Sequence, residues 1–147
     1  MITTPNVSGR ARVLVAENDE ANMRMVTSIV ESEGFQAVPA HDGRETQDIL
    51  VSDADFAVSI FEVILPHVSG LDLLRYMKSD DRLTRIPVLM MTRGSSVRVC
   101  YDSLASGALA LLPEPFTPRQ LKSVLGTVVN RPTKARFLHP VLDDAIN

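Results

Sequence analysis

Five short apolar runs recur along the chain, and a polar stretch with helical spacing follows each one. The first run is Arg12-Val13-Leu14-Val15-Ala16, which stops at four polar residues, Glu17-Asn18-Asp19-Glu20. Met23, Val26, Ile29 and Val30 then repeat at helical intervals, which predicts an amphipathic helix capped by Asn18 or Asp19 and ended by Gly34. Phe35-Gln36-Ala37-Val38-Pro39 predicts a second strand. Asp42-Gly43 reads as a turn and nothing more, and a second helix runs to about Val51 with Ile49 and Leu50 inward. The third run, Phe56-Ala57-Val58-Ser59-Ile60-Phe61, leads into Glu62. Pro66 and Gly70 punctuate the next stretch, and Leu71, Leu73, Leu74 and Met77 mark a third helix. Ile86-Pro87-Val88-Leu89-Met90-Met91 is a fourth strand ending at Thr92-Arg93-Gly94. A helix across Val97 to Ala105, capped by Ser95-Ser96, ends at Gly107. Ala108-Leu109-Ala110-Leu111-Leu112 is a fifth strand. Pro113-Glu114-Pro115-Phe116 forms a loop, and Pro118 opens a last helix to about Asn130.

None of the five strands clearly alternates apolar with polar residues. Continuous apolar strands separated by helices belong to parallel sheets covered on both faces, so the expected fold is α/β, doubly wound, in three layers. The strand ends that carry Glu17, Glu62, Thr92 and Glu114 then share one edge of the sheet, where ligands of open α/β folds bind. Residues 1–10 read as an N-terminal arm, 11–130 as the domain, and 131–147 as a tail, basic and proline-broken at first and apolar over 137–142. The tail is either loose or a docking segment.

With 147 residues, 45% apolar and 22% charged, the chain has the size and mix of one globular domain. A net charge of −3 without a basic run excludes an electrostatic footprint for nucleic acid. The first residues lack a basic n-region and an apolar h-region, and no apolar stretch has the length of a membrane span. A single cysteine, Cys100, excludes an internal disulfide framework and reads as packing in the fourth helix. A cytoplasmic protein is expected. His41, His67 and His139 are scattered without metal-ligand spacing and read as surface residues.

Four pieces of this chain carry a resemblance: Val13-Leu14-Val15-Ala16-Glu17-Asn18; Glu62-Val63-Ile64-Leu65-Pro66 with Ser69-Gly70-Leu71; Ile86-Pro87-Val88-Leu89-Met90-Met91-Thr92; and Pro113-Glu114-Pro115-Phe116. In this order and spacing they resemble the receiver domain of two-component response regulators, over roughly residues 12–129. The resemblance implies a flavodoxin-like sheet of strand order 2-1-3-4-5 and a cis Glu114–Pro115 bond. It implies an acidic pair holding Mg²⁺, an Asp accepting a phosphoryl group, and a Thr or Ser and a Lys that bond its oxygens. It also implies an aromatic residue that reorients on activation. The face of the fourth helix, fifth strand and fifth helix is, by resemblance, the dimer or partner surface, with charges from Arg98, Asp102, Arg119 and Lys122.

The departures fall on the chemistry. The acidic pair is Glu17 and Asn18, with Asp19 behind; the acceptor position is Glu62; the Lys position is Glu114; the aromatic position is Leu111; Thr92 is kept. Glu62 is one methylene longer than Asp, which displaces its oxygen by roughly 1.5 Å, and a 1 Å error costs on the order of 100-fold. Glu17, Glu62 and Glu114 place a formal −3 where phosphoryl transfer needs positive charge. Glu62 is then a phosphate mimic locking an active state, or a relic solvated at the pocket mouth. The crowded carboxylates call for a raised pKa or a cation, either Arg93 forking onto Glu62 or Glu114, or a hard divalent ion. The expected function is a pseudo-receiver: a signalling and protein-interaction module, not an enzyme, acting without aspartyl phosphorylation. It has no cofactor, a degraded Mg²⁺ site, a signalling protein as partner, and the option of a homodimer. The alternatives are a receiver still phosphorylated by a histidine kinase, and a metal or small-ligand sensor using the same crevice.

Overall fold

The computed structural model describes residues 9–94 and 96–129. Residues 1–8 of the expected arm, Ser95, Asn130, the 131–147 tail and His139 lie outside them.

The order is β1 (Arg12–Ala16), α1 (Glu20–Ser32), β2 (Gln36–Ala40), α2 (Gly43–Ser52), β3 (Val58–Glu62), α3 (Gly70–Lys78), β4 (Val88–Arg93), α4 (Val97–Ala105), β5 (Ala110–Glu114) and α5 (Pro118–Val129). All neighbouring strands pair in parallel, in the order β2-β1-β3-β4-β5. This is the expected doubly wound sheet. The continuous apolar runs have the predicted cause. Leu14 and Ala16 point into one core with Leu50, Leu73 and Met77, while Val13 and Val15 point into the other with Val26, Leu121 and Leu125. The inner strands β1 and β3 are buried at every position. The two prolines inside strands, Pro39 and Pro113, lie in the edge strands β2 and β5, where a missing N–H is tolerated.

Three strands start and end later than their apolar runs. β3 includes Glu62, β4 runs through Thr92 and Arg93, and β5 runs through Pro113 and Glu114. Pairing carries them on: Glu62 sits opposite Met91, Thr92 opposite Pro113 and Arg93 opposite Glu114. Glu62 and Glu114 are therefore held by the sheet ladder, not by free loops. Gly94, at φ 80°, ends β4.

Asp42-Gly43 is more than a turn. The Asp42 carboxylate accepts a hydrogen bond from the Glu45 amide at 2.7 Å and caps α2. Gly43 opens that helix against the β3–α3 connection, where a Cβ would stand 1.7 Å from the Val68 carbonyl oxygen. Of the two proposed caps of α1, Asp19 is the one used. Ser96 caps α4. Thr117 and Gln120 bond reciprocally, side chain to amide, ahead of α5, with Pro118 at its first position. Among the described residues of α4 only Ser103 is buried, and Val97 and Tyr101 stand exposed.

Candidate functional site

The C-terminal edge of the sheet holds a crevice of about 400 Å³ lined by Glu17, Asn18, Asp19, Glu20, Glu62, Ile64 and Arg93. Four chain segments build it. Glu17 follows β1, and its amide bonds the Ala40 carbonyl, which fixes its direction. Glu62 ends β3. Gly70 lets the start of α3 close on it, since a Cβ there would lie 2.2 Å from the Glu62 carbonyl oxygen. Arg93 ends β4 and Glu114 ends β5, followed by the expected cis bond to Pro115.

Glu17, Glu62 and Glu114 turn oxygens within 4.8 Å of one another. Glu62 is only 4% exposed, so it is not solvated at the pocket mouth; the sheet and the first turn of α3 enclose it. Glu17 is buried as well, with Oε2 accepting from the Asn18 amide at 2.9 Å and Oε1 from Asn22 Nδ2 at 2.8 Å. The second hydrogen of Asn22 Nδ2 bonds Glu114 Oε1. Glu62 Oε2 accepts from the Val63 amide at 3.1 Å. Among the described residues, no donor reaches Glu62 Oε1 or Glu114 Oε2.

Arg93 faces these two oxygens. Its Nε lies 3.5 Å from Glu62 Oε1 and 3.6 Å from Glu114 Oε2, and a terminal nitrogen lies 3.7 Å from Glu17 Oε1. These are ion-pair distances, too long for strong hydrogen bonds. The guanidinium is a half-exposed counter-ion over three buried carboxylates. Burial works against its charge, but Glu114, Glu17, Glu62 and Asp19 together hold its pKa above the ordinary value. One cation does not neutralise the cluster. Burial and the neighbouring charges of Glu114 and Glu17 raise the Glu62 carboxyl from 4.5 to about 9, against the pull of Arg93.

The remaining predicted residues sit around this centre. Asp19 is occupied as the α1 cap, and Asn18 is exposed. Thr92 is buried and its hydroxyl donates to the Arg93 carbonyl at 3.4 Å. Leu111 lies in the core beneath α4 with neither a hydroxyl nor a ring. His41 and His67 are exposed and stand beside Glu45 and Asp42, away from the cluster. Asn22 was not singled out from the sequence. Its only signal is an amide in the first helical turn after an acidic run.

The divalent ion that receivers hold fits these residues poorly. A hard ion accepts three carboxylates at this spacing. However, both Glu17 oxygens are engaged by N–H donors, Asn18 offers no carboxylate, and the Arg93 charge already stands within 3.7 Å of all three acids. Among the described residues no helix is long and apolar enough to cross a membrane.

Comparison with known proteins agrees with this geometry at the level of family. Residues 13–126 match the family described as response regulator receiver domain. The response regulator MprA of Mycolicibacterium vanbaalenii is 32% identical over 124 residues, covering 83% of this chain and 52% of that protein. The chemotaxis protein CheY1 of Helicobacter pylori is 29% identical over 119 residues, 80% of this chain and 96% of its own length. The two-component response regulator-like protein APRR1 of Arabidopsis thaliana is 31% identical over 76% of this chain, which spans only 18% of that protein. Among solved structures, the chemotaxis response regulator CheY4 of Vibrio cholerae superposes with a TM-score of 0.75 at 27% identity, covering 81% of this chain and 98% of that one. The chain belongs to the receiver domain family of two-component response regulators.

Proposed function

We propose that this chain is a pseudo-receiver, a signalling module that engages a protein partner without being phosphorylated. One observation carries the reading: a buried cluster of Glu17, Glu62 and Glu114 has Arg93 and Asn22 as its internal counter-groups. By family resemblance, Glu62 stands at the acceptor position, Glu17 and Asn18 at the acidic pair, Thr92 and Leu111 at the switch positions, and Glu114 at the position of the Lys. A phosphoryl group carries its negative charge on equatorial oxygens, and catalysis of its transfer rests on positioning and on cations around those oxygens. Here Glu62 faces a second carboxylate, Glu114, and the one cation against it, Arg93, is shared among three acids. The attacking oxygen would have to be Glu62 Oε1, which is buried beside Glu114 and Arg93. The domain spans residues 11–130, flanked by the arm and the tail. Its partner surface is the face of α4, β5 and α5, where Val97 and Tyr101 are exposed one helical turn apart and Arg98 pairs with Asp102 at 3.3 Å. No catalysis is assigned to it.

Incubation with radiolabelled acetyl phosphate and Mg²⁺, and with a cognate histidine kinase, tests the reading. The unmodified protein stays unlabelled. Acid-labile, hydroxylamine-sensitive label on the unmodified chain would overturn it and favour an ordinary receiver.

A further inference from the structure

We infer that Arg93 is a resident cation standing in the place of a divalent ion, and that the three carboxylates beneath it are a latent metal site that opens when the guanidinium is removed. The inference rests on the reading of the crevice as non-phosphorylatable and names the residue that keeps it so. Of the three obstacles to a divalent ion here, only Arg93 is decisive. Asn18 supplies no carboxylate, but Glu114 brings a third one in from β5, so that Glu17, Glu62 and Glu114 place oxygens within 4.8 Å of one another. Oxygens that share one Ca²⁺-sized ion at about 2.4 Å stand no more than about 5 Å apart. Both Glu17 oxygens accept from N–H donors, yet each keeps a second lone pair. Glu62 Oε1 and Glu114 Oε2 are buried with no hydrogen-bond donor among the described residues, a costly arrangement unless a positive charge stands by.

Arg93 is that charge, and it uses the oxygens an ion would need. Its Nε stands 3.5 Å from Glu62 Oε1 and 3.6 Å from Glu114 Oε2, and a terminal nitrogen stands 3.7 Å from Glu17 Oε1. One group thus faces all three acids, at distances where it acts through its charge more than through hydrogen bonds. The sheet holds it there, because Arg93 pairs with Glu114 across the β4–β5 ladder. A cation tethered this closely competes at an effective concentration of about 1 mM or more, and without the entropy cost of capturing a free ion. The guanidinium itself is half-exposed, while the acids beneath it are fixed by β3, by β5 and by the Glu17 amide bond to Ala40. Removing the guanidinium therefore leaves the three carboxylates in place and uncovers them.

The full chain and its Arg93→Ala variant are titrated with manganese chloride at pH 7, and the paramagnetic broadening of amide resonances is followed by NMR. In the unmodified chain the amides of Glu17, Glu62 and Glu114 broaden no more than that of the exposed Asp81. In Arg93→Ala they broaden saturably, and calcium chloride reverses the effect. The apparent dissociation constant is at least about tenfold lower than any shown by the unmodified chain, because a unit positive charge within 3.7 Å of each acid is gone. Adding Glu62→Gln to Arg93→Ala abolishes the binding. Arg93→Gln, which keeps most of the stem, takes the place of Arg93→Ala if the latter does not fold. If neither folds in metal-free buffer, recovery of the native circular dichroism on adding manganese chloride supports the proposal and its absence overturns it. Saturable broadening of the unmodified chain with the same midpoint as the variant overturns the proposal, as does a folded variant that binds no Mn²⁺. The labelling assay is scored independently: a metal-binding but unlabelled chain would remove the resident cation and leave the pseudo-receiver standing.

Discussion

Glu62→Gln is expected to stabilise the protein at neutral pH and to flatten its pH dependence. The carboxyl is raised from 4.5 in the unfolded chain to about 9 in the folded one. Between these values the folded state holds a proton that the unfolded state has lost, so stability falls as pH rises through this window and is level on either side. Each pH unit is worth about 1.4 kcal/mol, so at pH 7 the lost stability is about 3 kcal/mol relative to acid. Glutamine has the same length, is neutral at every pH, and its amide can donate to Glu114 Oε2, which has no hydrogen-bond donor among the described residues. Relaxation of Arg93 and of the loop reduces the gain, so the expected figure at pH 7 is about 1–3 kcal/mol, near zero at pH 4.5 and largest at pH 9. Urea unfolding of both proteins across that range reads the difference directly, since other titrating groups are common to both. Parallel curves, or a Glu62→Gln protein less stable at pH 8 than the unmodified one, would refute the reasoning.

Asn22→Ala leaves Glu17 Oε1 and Glu114 Oε1 without their shared donor and is expected to cost about 2–3 kcal/mol in the same unfolding assay. Arg93→Ala removes the half-exposed counter-ion; the expected loss is about 1 kcal/mol at pH 8 in the same unfolding assay. In Gly43→Ala the new Cβ meets the Val68 carbonyl, a backbone group that cannot step aside. The variant should lose about 3 kcal/mol or fail to fold, as circular dichroism melts will show. Glu62→Asp alone should stay unlabelled by acetyl phosphate, because Glu114 still opposes the phosphoryl oxygens. Label should appear when Asn18→Asp and Glu114→Lys are added.

The fold was legible because the chain is locally consistent. Val13 and Leu14 are both apolar because they face different cores, and that doubled burial is what a continuous apolar run encodes. The gathering of Glu17, Glu62, Thr92 and Glu114 followed from strand polarity alone, and Arg93 stands within the reach expected from its place after Thr92. The strand ends were less legible. Glu62, Arg93 and Glu114 look like loop residues by polarity, but ladder pairing with Met91 and with each other extends the strands through them. The burial of Glu62 was hidden for the same reason, since a carboxylate at a strand end reads as solvated until Gly70 is seen to close α3 over its backbone. Asn22 was illegible because bridging Glu17 and Glu114 depends on where the first turn of α1 crosses the sheet edge, and spacing along one helix does not contain that position. Asp42-Gly43 carried the composition of a turn and also that of a helix cap, and the packing of Val68 decided between them.

The central claim is that the crevice does not take up a phosphoryl group. Backbone amide NMR spectra of the unmodified full chain, recorded with and without beryllofluoride and Mg²⁺ at pH 7, test it most directly, because the probe mimics the phosphoryl group without needing a kinase. The account predicts superimposable spectra, including the amides of Glu62, Thr92, Arg93 and Glu114. Saturable shifts at those amides that spread into α4 would contradict it.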